Sequence, residues 1–403
     1  CCTILFMSQI QKKKNTCPHC GNNPTNHLAS YIMQTMLVKT LPLSKLIQAK
    51  RNVTLDHAFH TFFMNLMWGL AHTGIWSINR DAKKAPTERS LVIWEEATSR
   101  GIEMEGLIVY GKHVEHHRAK INKKWFHFES LPIPGKFEED AYEWMDDKWE
   151  LKKFFMEEKI PTAFGASVTS VKDALDIFNK GRKPFITKPQ LGSRGRHTTT
   201  HIYTEEQLKK GFKIAQQLCR HVIVEEHLVG SVYRGTYVNG QVVGILRGDP
   251  PRITGDGIST IKKLIALKNK TKHHEVSDVK ITPQLETFIG RQELTLQSIL
   301  KKGRTIDLSE KIGISYGGFA AEEFPITHPK IISFVKKAGD RMHVPIVGFD
   351  FIIENISKDP KTQKWGFIEA NSLPFINLHH FPLEGDPINV AAKVWDMWDN
   401  TII

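Results

Sequence analysis

The segment VGFDFIIENISKDPKTQKWGFIEAN, residues 347–371, contains two apolar runs separated by a polar turn. Two such runs flanking ISKDPKTQ predict an antiparallel hairpin. If the strands pair symmetrically about this turn, Asp350 lies opposite Glu369, and side-chain alternation places both carboxylates and Asn371 on one face. The alternate positions are apolar and are expected to pack into the core: Phe349, Phe351 and Ile353.

The two facing carboxylates repel each other unless a cation lies between them. Carboxylate and amide oxygens suit Mg²⁺, which proteins hold through one or two carboxylates together with substrate phosphates. The alternative is a salt-bridged hairpin with surface acids, and the apolar neighbours argue against it. We therefore predict a metal site at Asp350, Glu369 and Asn371.

Composition restricts the class of protein only broadly. The chain has 403 residues, 40% of them hydrophobic, and a formal net charge of +12. This length predicts two to four domains. The basic balance favours anionic partners, among which nucleotides, acidic peptides, nucleic acid and anionic membranes remain open. Five cysteines are too few for a disulfide framework and favour a reducing, cytoplasmic compartment. The longest uncharged stretch, residues 57–76, contains three histidines and is a poor membrane span.

The N-terminal segment, residues 1–73, is expected to be mostly helical, with a helical pattern after residue 26 that is broken at Pro42. Its CPHC sequence, residues 17–20, is one half of a zinc site, with His19 and His27 as further donors. The other half is missing unless Cys1, Cys2 or residues farther upstream supply it. A plain turn at Cys17–Cys20 is therefore favoured over zinc.

Residues 74–145 alternate between helical and strand patterns and predict a small α/β domain. A helix over ERSLVIWEEATSRG is closed by Gly101, and MEGLIVYG reads as a buried strand. HVEHH, residues 113–117, invites a metal interpretation. Because lysine and arginine flank it on both sides, a solvated loop is favoured.

Residues 146–228 contain a strand–loop–strand segment, PFITKPQLGSRGRHTTTHIY. Lys188 ends the first strand, and Gly192 and Gly195 bracket the loop. Glycines let backbone N–H groups approach a phosphate, and a lysine neutralises its charge. A Gly-x-x-Gly turn alone is more often an ordinary hairpin, but Arg194 and Arg196 strengthen the phosphate interpretation. The helix at the start of this region, in DDKWELKKFFMEEKIP, is expected to be capped by Asp146 or Asp147.

Residues 229–403 are rich in strands. SVYRGTYV and QVVGILRG flank Asn239-Gly240, the strongest two-residue hairpin signal. A polar helical insertion is expected at about residues 255–302. It is followed by SYGGFAAEEF, by the helix PKIISFVKKAGDRM and by the hairpin described above.

Taken in order, these segments resemble the ATP-grasp superfamily, and in particular the ATP-grasp modules of cyanophycin synthetases. D-alanine–D-alanine ligases and glutathione synthetases are more distant. The resemblance covers about residues 146–398 and is carried by segments in a fixed order: ITKPQLGSRGR, VIVEEHLVG, ITGDGISTIKKLI, SYGG, VGFDFI, FIEANSLP and LHHFPLEGDP. It implies an ATP-grasp fold of two α+β subdomains, residues 146–228 and 229–403. The small α/β domain and the helical N-terminal segment precede them.

The resemblance also implies roles for individual residues. Lys148 and Lys188 would hold the ATP phosphates, and Asp350, Glu369 and Asn371 would bind Mg²⁺, with Mn²⁺ as an alternative. The remaining implied residues lie in loops and in the hinge strand. They are Gly192, Ser193 and Gly195 in the phosphate loop, Glu225, Glu226 and Leu228 in the strand that contacts adenine, Arg234 in the next strand, and Ser315, Gly317 and Gly318 near the transferred phosphate.

Three departures from the family pattern bear on function. Val232 stands where relatives have a ribose-binding acid. Phe375 and Asn377 replace a glycine and an arginine beside the acceptor site, which puts an acidic acceptor in doubt. Cyanophycin synthesis also needs a second, Mur-ligase-like module, so a complete cyanophycin synthetase is not expected.

The expected activity is ADP-forming ligation of a carboxylate to an amine through an acylphosphate, on an amino acid or an acidic peptide. A small-molecule kinase and a catalytically degenerate ATP-grasp binding protein are the alternatives. An anionic small-molecule or peptide partner is expected, a homo-oligomer is left open, and neither nucleic acid nor a membrane is expected to bind.

Overall fold

The structure is a computed structural model that describes residues 17, 19–20, 25–48, 68–71, 76–134, 143–192, 195–274, 276–309 and 311–401. The helices are α1 His27–Gln48, α2 Glu88–Ser99, α3 Lys148–Glu157, α4 Val171–Lys180, α5 Glu205–Gln216, α6 Ile261–Thr271, α7 Pro283–Gly290, α8 Pro329–Met342, α9 Asn377–His380 and α10 Val390–Trp395. Among the described residues, no helix combines the length and apolar character needed to cross a bilayer.

The strands form three larger sheets and one short ribbon. Their bounds are β1 Ser77–Asn79, β2 Met104–Val109, β3 Lys112–Ile121, β4 Lys124–Glu129, β5 Gly165–Val168, β6 Phe185–Pro189, β7 Thr199–Ile202, β8 Val222–Glu226, β9 Ser231–Val238, β10 Gln241–Asp249, β11 Arg252–Thr254, β12 Thr305–Asp307, β13 Phe319–Glu322, β14 Ile346–Ile353 and β15 Gly366–Asn371.

The first sheet has the order β1-β2-β3-β4 and packs against α2 and α10 around one hydrophobic core. HVEHH lies inside β3, so its expected placement in a solvated loop was wrong. His117 is fully buried, and its Nε2 lies 3.1 Å from the hydroxyl of Ser90 in α2. β2 and β4 pair with β3 on its two sides and so satisfy the backbone hydrogen-bonding groups of HVEHH. This polar segment therefore forms a strand despite its unfavourable composition.

The second sheet has the order β5-β8-β6-β7, with α4 and α5 packed on it. β6 and β7 pair antiparallel, so the predicted strand–loop–strand arrangement is confirmed. Gly192 and Gly195 both have positive φ, at 106° and 63°. That backbone region favours glycine, which explains why these two positions bracket the connection.

The third sheet has the order β13-β10-β9-β14-β15 and carries α8 on one side. The hairpin predicted at Asn239-Gly240 is confirmed, with φ of 42° and 85° at the two turn residues. Asp350 pairs with Glu369 across β14 and β15, which confirms the predicted register. The apolar alternates are fully buried in the core that α3 and α8 cover: Phe349, Phe351 and Ile353.

Two further segments surround this framework. The insertion is closed by the β11–β12 ribbon, and it packs α6 and α7 on a small core of its own. At the N-terminus, α1 continues through Pro42, so the expected break there was wrong. A proline removes a single N–H donor, and several helical turns already precede this one.

Candidate functional site

A cleft between the second and third sheets brings together three lysines and one glutamate. It is lined by α3, β6, β8 and β15, through Lys148, Leu151, Lys152, Phe155, Lys188, Ile223, Glu225, Phe367 and Ile368. α3 and β15 share one hydrophobic core and β6 and β8 share another, so the charged side chains converge from two packed supports. The cleft therefore combines segments that are as much as 220 residues apart in sequence.

Lys148 is the first residue of α3. Of the two expected caps, Asp147 is the one that acts, since its Oδ1 accepts from the backbone N–H groups of Trp149 at 2.9 Å and Glu150 at 3.1 Å. The Lys148 ammonium donates to the carbonyl oxygen of Gly192. Burial lowers the pKa of Lys148, and the nearby Glu369 carboxylate opposes that shift. Lys148 thus connects the start of the glycine loop with the acidic hairpin.

Glu225 holds two lysines at the centre of the cleft. Lys188 Nζ lies 2.6 Å from one carboxylate oxygen and Lys152 Nζ 2.5 Å from the other. Burial alone would raise the pKa of Glu225, but the two ammonium groups lower it to about 2. The predicted hinge residue therefore also positions Lys188. Lys152 was missed by the sequence analysis, although it lies one helical turn after Lys148 on the same face of α3.

The other two predicted hinge residues are Glu226, the last residue of β8, and Leu228. The Glu226 N–H donates to the carbonyl of Phe164 at 2.8 Å, and its carboxylate pairs with Lys364 at 2.5 Å. Leu228, two residues farther on, is buried. Alternation along β8 therefore directs Glu225 into the cleft and Glu226 towards the opposite face.

The acidic set differs from the sequence expectation in one respect. The cation beside Asp350 is Arg234, which pairs with it across β9 and β14. Arg234 Nε lies 2.7 Å from Asp350 Oδ1, and Nη2 lies 2.8 Å from Oδ2. Although burial acts to lower it, the pKa of Arg234 is raised because Asp350 stabilises the charged form. Asp350 is thus already charge-compensated, while Asn371 Nδ2 donates to it at 3.3 Å.

Glu369 is different, because its carboxylate accepts no hydrogen bond and forms no ion pair with any of the described residues. It is nevertheless close enough to Lys148 and Arg234 to influence the pKa values of both. The Asn371 amide nitrogen donates to Asp350 and to the Gly348 carbonyl, so its side-chain oxygen can accept from a ligand or coordinate a cation. An available carboxylate and an amide oxygen suit a hard divalent cation such as Mg²⁺.

The Ser315 loop is shaped by its glycines. Gly317 has a φ of 83°, and a Cβ atom there would approach Val279 Cγ2 to 2.6 Å. A Cβ at Gly318 would overlap the carbonyl oxygen of Asp249. Both positions therefore require glycine for backbone reasons alone. The Ser315 side chain and the whole of Ser193 lie outside the described part of the chain.

A second, larger space lies between β7, α5 and the insertion. This cavity of about 1040 Å³ extends from Gly195 to Tyr316 and so joins the glycine loop to the Ser315 loop. Among the Lys, Arg, Asp and Glu side chains of its lining, Asp278 is the one acid and five are basic: Arg196, Lys210, Lys280, Arg291 and Lys311. This cavity was not predicted from the sequence, since its lining comes from five separate segments.

The loop that contains Phe375 and Asn377, two of the departures from the family pattern, lies next to α2. Arg89 sits over the Phe375 ring, 5.0 Å from its centroid, and donates to the Leu373 carbonyl at 2.7 Å. Asn377 donates to Glu88 at 2.9 Å. An arginine is thus present beside the loop, although it comes from the first sheet's helix and is already paired with Glu115.

Comparison with solved structures identifies the architecture. The chain superposes on the crystal structure of a bifunctional glutathione synthetase from Pasteurella multocida with a TM-score of 0.52 and 21% sequence identity, covering 77% of this chain and 43% of that one. The fold is an ATP-grasp fold, as the sequence resemblance implied.

The chain is also similar in sequence to curated proteins. The chain is 28% identical over 330 residues to a cyanophycin synthetase of Trichormus variabilis, covering 79% of this chain and 35% of the relative. It is 29% identical over 265 residues to a glutathione biosynthesis bifunctional protein of Clostridium perfringens, covering 64% of this chain and 34% of the relative. No family model matches. The chain spans about a third of the length of these curated relatives.

Proposed function

We propose that the chain is an ADP-forming carboxylate–amine ligase that uses ATP to join an amino acid or peptide carboxylate to an amine. The observation that carries this proposal is the convergence of Lys148 and Lys188 on one cleft between two sheets, with the Glu369 carboxylate close enough to Lys148 to affect its pKa. The names of the relatives, cyanophycin synthetase and a glutathione biosynthesis protein, support the same reaction class.

In the proposed reaction the γ-phosphoryl group is transferred to a substrate carboxylate oxygen, and the bond to the β-phosphate oxygen breaks to release ADP. The amine then attacks the acyl carbon, phosphate leaves, and the nitrogen loses a proton. Little covalent help from the protein is needed, because positioning and charge stabilisation provide most of the acceleration. Cleft closure would exclude the water that hydrolyses the acylphosphate.

The two halves of the grasp are proposed as residues 146–228 and 229–403. Lys148 and Lys188 neutralise the phosphates, and the loop of Gly192, Ser193 and Gly195 covers them. The backbone from Glu225 to Leu228 contacts the adenine. Arg234 and the loop of Ser315, Gly317 and Gly318 act near the transferred group.

Glu369, Asn371 and Asp350 form the proposed Mg²⁺ site. When bound, the metal would offset negative charge on the transferring phosphoryl group. Glu369 supports this assignment because its carboxylate is available, whereas Asp350 is shared with Arg234. Arg234 and Asn371 both donate to Asp350 Oδ2, so the arginine holds this carboxylate beside Asn371.

An anionic substrate is proposed from the larger cavity. Its lining carries five basic residues and one acid, so a carboxylate-rich amino acid or peptide would be attracted and oriented there. The basic lining is continuous with the Ser315 loop through Lys311, whose ammonium lies 4.9 Å from the Tyr316 ring centroid. The second carboxylate of an acidic substrate therefore has several cations within the same cavity.

The deciding experiment measures phosphate release from Mg-ATP with mixtures of amino acids and acidic dipeptides. Wild type is compared with Glu369→Gln and with the matched control Glu354→Gln, an exposed acid just beyond β14. Phosphate release that requires both a carboxylate and an amine, yields an amide, and is lost only in Glu369→Gln supports the ligase. A phosphorylated product without an amide would instead identify a kinase. Absence of both ATP binding and turnover would identify a binding protein.

A further inference from the structure

Four potential metal ligands from two distant parts of the chain meet beside the glycine loop. They are Cys17 and Cys20 of the CPHC sequence, His27 at the start of α1, and His197 just before β7. Their ligating atoms all lie within 4.8 Å of one another. This group is separate from the acidic hairpin and from the cleft at Lys148 and Lys188. Cys20 borders the larger cavity, but the proposed ligase reaction assigns no role to these four side chains.

We propose that Cys17, Cys20, His27 and His197 bind one structural zinc ion that joins the N-terminal segment to the β6–β7 hairpin. The donors are two thiols and two imidazoles, a ligand set typical of tetrahedral zinc. Four protein ligands also leave no open position, which is the property that distinguishes structural from catalytic zinc sites.

The distances agree with the edges of a zinc tetrahedron. Cys20 Sγ lies 3.2 Å from His27 Nε2 and 3.4 Å from His197 Nε2, and Cys17 Sγ lies 3.7 Å from His197 Nε2. Zn–S bonds of about 2.3 Å and Zn–N bonds of about 2.0 Å at tetrahedral angles separate sulfur from nitrogen by about 3.5 Å. The side chains are therefore arranged as they would be around a common centre.

His197 is oriented for ligation by a hydrogen bond on its other nitrogen. Its Nδ1 lies 2.8 Å from the carbonyl oxygen of Ile214 in α5, so Nδ1 carries the proton and donates it to that oxygen. Nε2 then presents a lone pair to the two cysteines. A backbone carbonyl on the second nitrogen is a common support for a zinc-binding histidine. His197 is also 1% exposed, so water does not satisfy Nε2 instead.

Hydrogen bonds to the backbone also fix the positions of the other three ligands. Cys20 N donates to the Cys17 carbonyl at 3.3 Å, which closes the turn that brings the two thiols together. Asn26 Oδ1 accepts from Ala29 N at 3.1 Å and so caps α1 directly before His27. His197 N donates to the His19 carbonyl at 3.1 Å, which connects the turn to the hairpin.

Hydrogen bonding alone explains the cluster less well. Two imidazole nitrogens approach the single Cys20 sulfur, yet a thiol has one proton to donate and is a weak donor. A metal bound to the thiolate satisfies both sulfurs and both nitrogens at once. From the sequence, His19 and His27 were named as further donors, and the missing half of the site was expected from Cys1, Cys2 or residues farther upstream. In the structure the additional ligand beside His27 is His197, 180 residues after Cys17.

The first test is elemental analysis of the full chain purified without chelator. We expect about one zinc per chain in wild type and at least a tenfold lower content in Cys17→Ser, Cys20→Ser and His197→Ala. His19→Ala, Cys219→Ser and the Cys1→Ser/Cys2→Ser double variant are controls and should keep wild-type zinc. Background zinc in wild type would overturn the proposal, and so would retention of zinc in all three ligand variants.

The second test needs no variant and remains valid if a ligand variant fails to fold. X-ray absorption at the zinc edge of the wild-type chain should give two sulfur and two nitrogen neighbours. After replacement of zinc by Co²⁺, the chain should show the visible and near-ultraviolet bands of tetrahedral cobalt with thiolate ligands. A shell of oxygen neighbours alone would overturn the assignment. Neither readout depends on ATP turnover, so failure here is distinguishable from failure of the ligase proposal.

Discussion

Glu225 in the second sheet and Glu369 in the third both lie close to lysines of α3, and their surroundings are opposite. Glu225 is saturated, with a lysine on each carboxylate oxygen at 2.5 and 2.6 Å. Glu369 has no ion-pair partner among the described residues, although Lys148 and Arg234 are close enough for their pKa values to be affected. A saturated buried carboxylate fixes its neighbours, whereas an unsaturated one is available to a ligand. The comparison predicts that stability depends on Glu225 and that catalysis depends on Glu369.

The largest expected effect is on catalysis at Glu369. Glu369→Gln should lower ATP-dependent product formation by about 10²–10³-fold, since it removes a charged group next to the proposed position of the transferring phosphoryl group. Its melting temperature should stay near that of wild type because no ion pair is lost. Glu225→Gln should lower both activity and melting temperature. Parallel assays of turnover and thermal unfolding check the contrast, and equal destabilisation in the two variants would contradict it.

The second effect is the dependence of stability on pH. The pKa of Glu225 in the folded chain is about 2, below its ordinary value of 4.5. Its contribution is therefore complete above the unfolded pKa and is lost as pH falls through the folded pKa. The shift corresponds to about 3 kcal/mol of unfolding free energy, lost between about pH 5 and about pH 2.

Urea unfolding at steps across that range measures this effect. Glu225→Gln should lose about 3 kcal/mol less than wild type over the same interval. Glu354→Gln, which removes an exposed acid, should follow the wild-type curve. Parallel curves for wild type and Glu225→Gln would show that the lysines do not stabilise the ionised form.

The two carboxylates also show what sequence reasoning could predict and why. Asp350 and Glu369 follow from strand alternation and from a hairpin whose turn is visible in the sequence, so their register was predictable from local pattern. Gly192, Gly195 and the Asn239-Gly240 turn were equally readable, because a positive φ leaves a signature in residue type. These features depend on neighbours that are close in sequence.

Features that depend on distant partners were not predictable in this way. Lys152 pairs with an acid 73 residues later, and His197 meets Cys20 across 177 residues. Neither contact leaves a periodic pattern. HVEHH was misplaced for a related reason, because its strand conformation is imposed by β2, β4 and α2, which override an unfavourable composition.

A third effect separates the two lysines that share Glu225. Lys152→Met and Lys188→Met each leave the carboxylate with one partner and should each cost about 2 kcal/mol of unfolding free energy. Only Lys188→Met should also weaken ATP binding, by about tenfold, since Lys188 is proposed to contact a phosphate. Isothermal titration with ATP, alongside urea unfolding, checks both values. Equal weakening of ATP binding by the two variants would assign the phosphate contact to the pair as a unit.

The smallest effect concerns Arg234, which forms an ion pair with Asp350. Asp350 is therefore paired with a cation, as Glu225 is, whereas Glu369 has no such partner among the described residues. Arg234→Lys keeps the charge but loses one of two parallel hydrogen bonds, so unfolding free energy should fall by about 1 kcal/mol. The freed Asp350 oxygen should then raise the apparent affinity for Mg²⁺ in ATP turnover, provided that Asp350 and Glu369 share the metal. Arg341→Lys, at an exposed ion pair with Glu158, is the control and should change neither quantity. A Mg²⁺ dependence unchanged in Arg234→Lys would leave Glu369 and Asn371 as the metal ligands and Asp350 as a purely structural partner of the arginine.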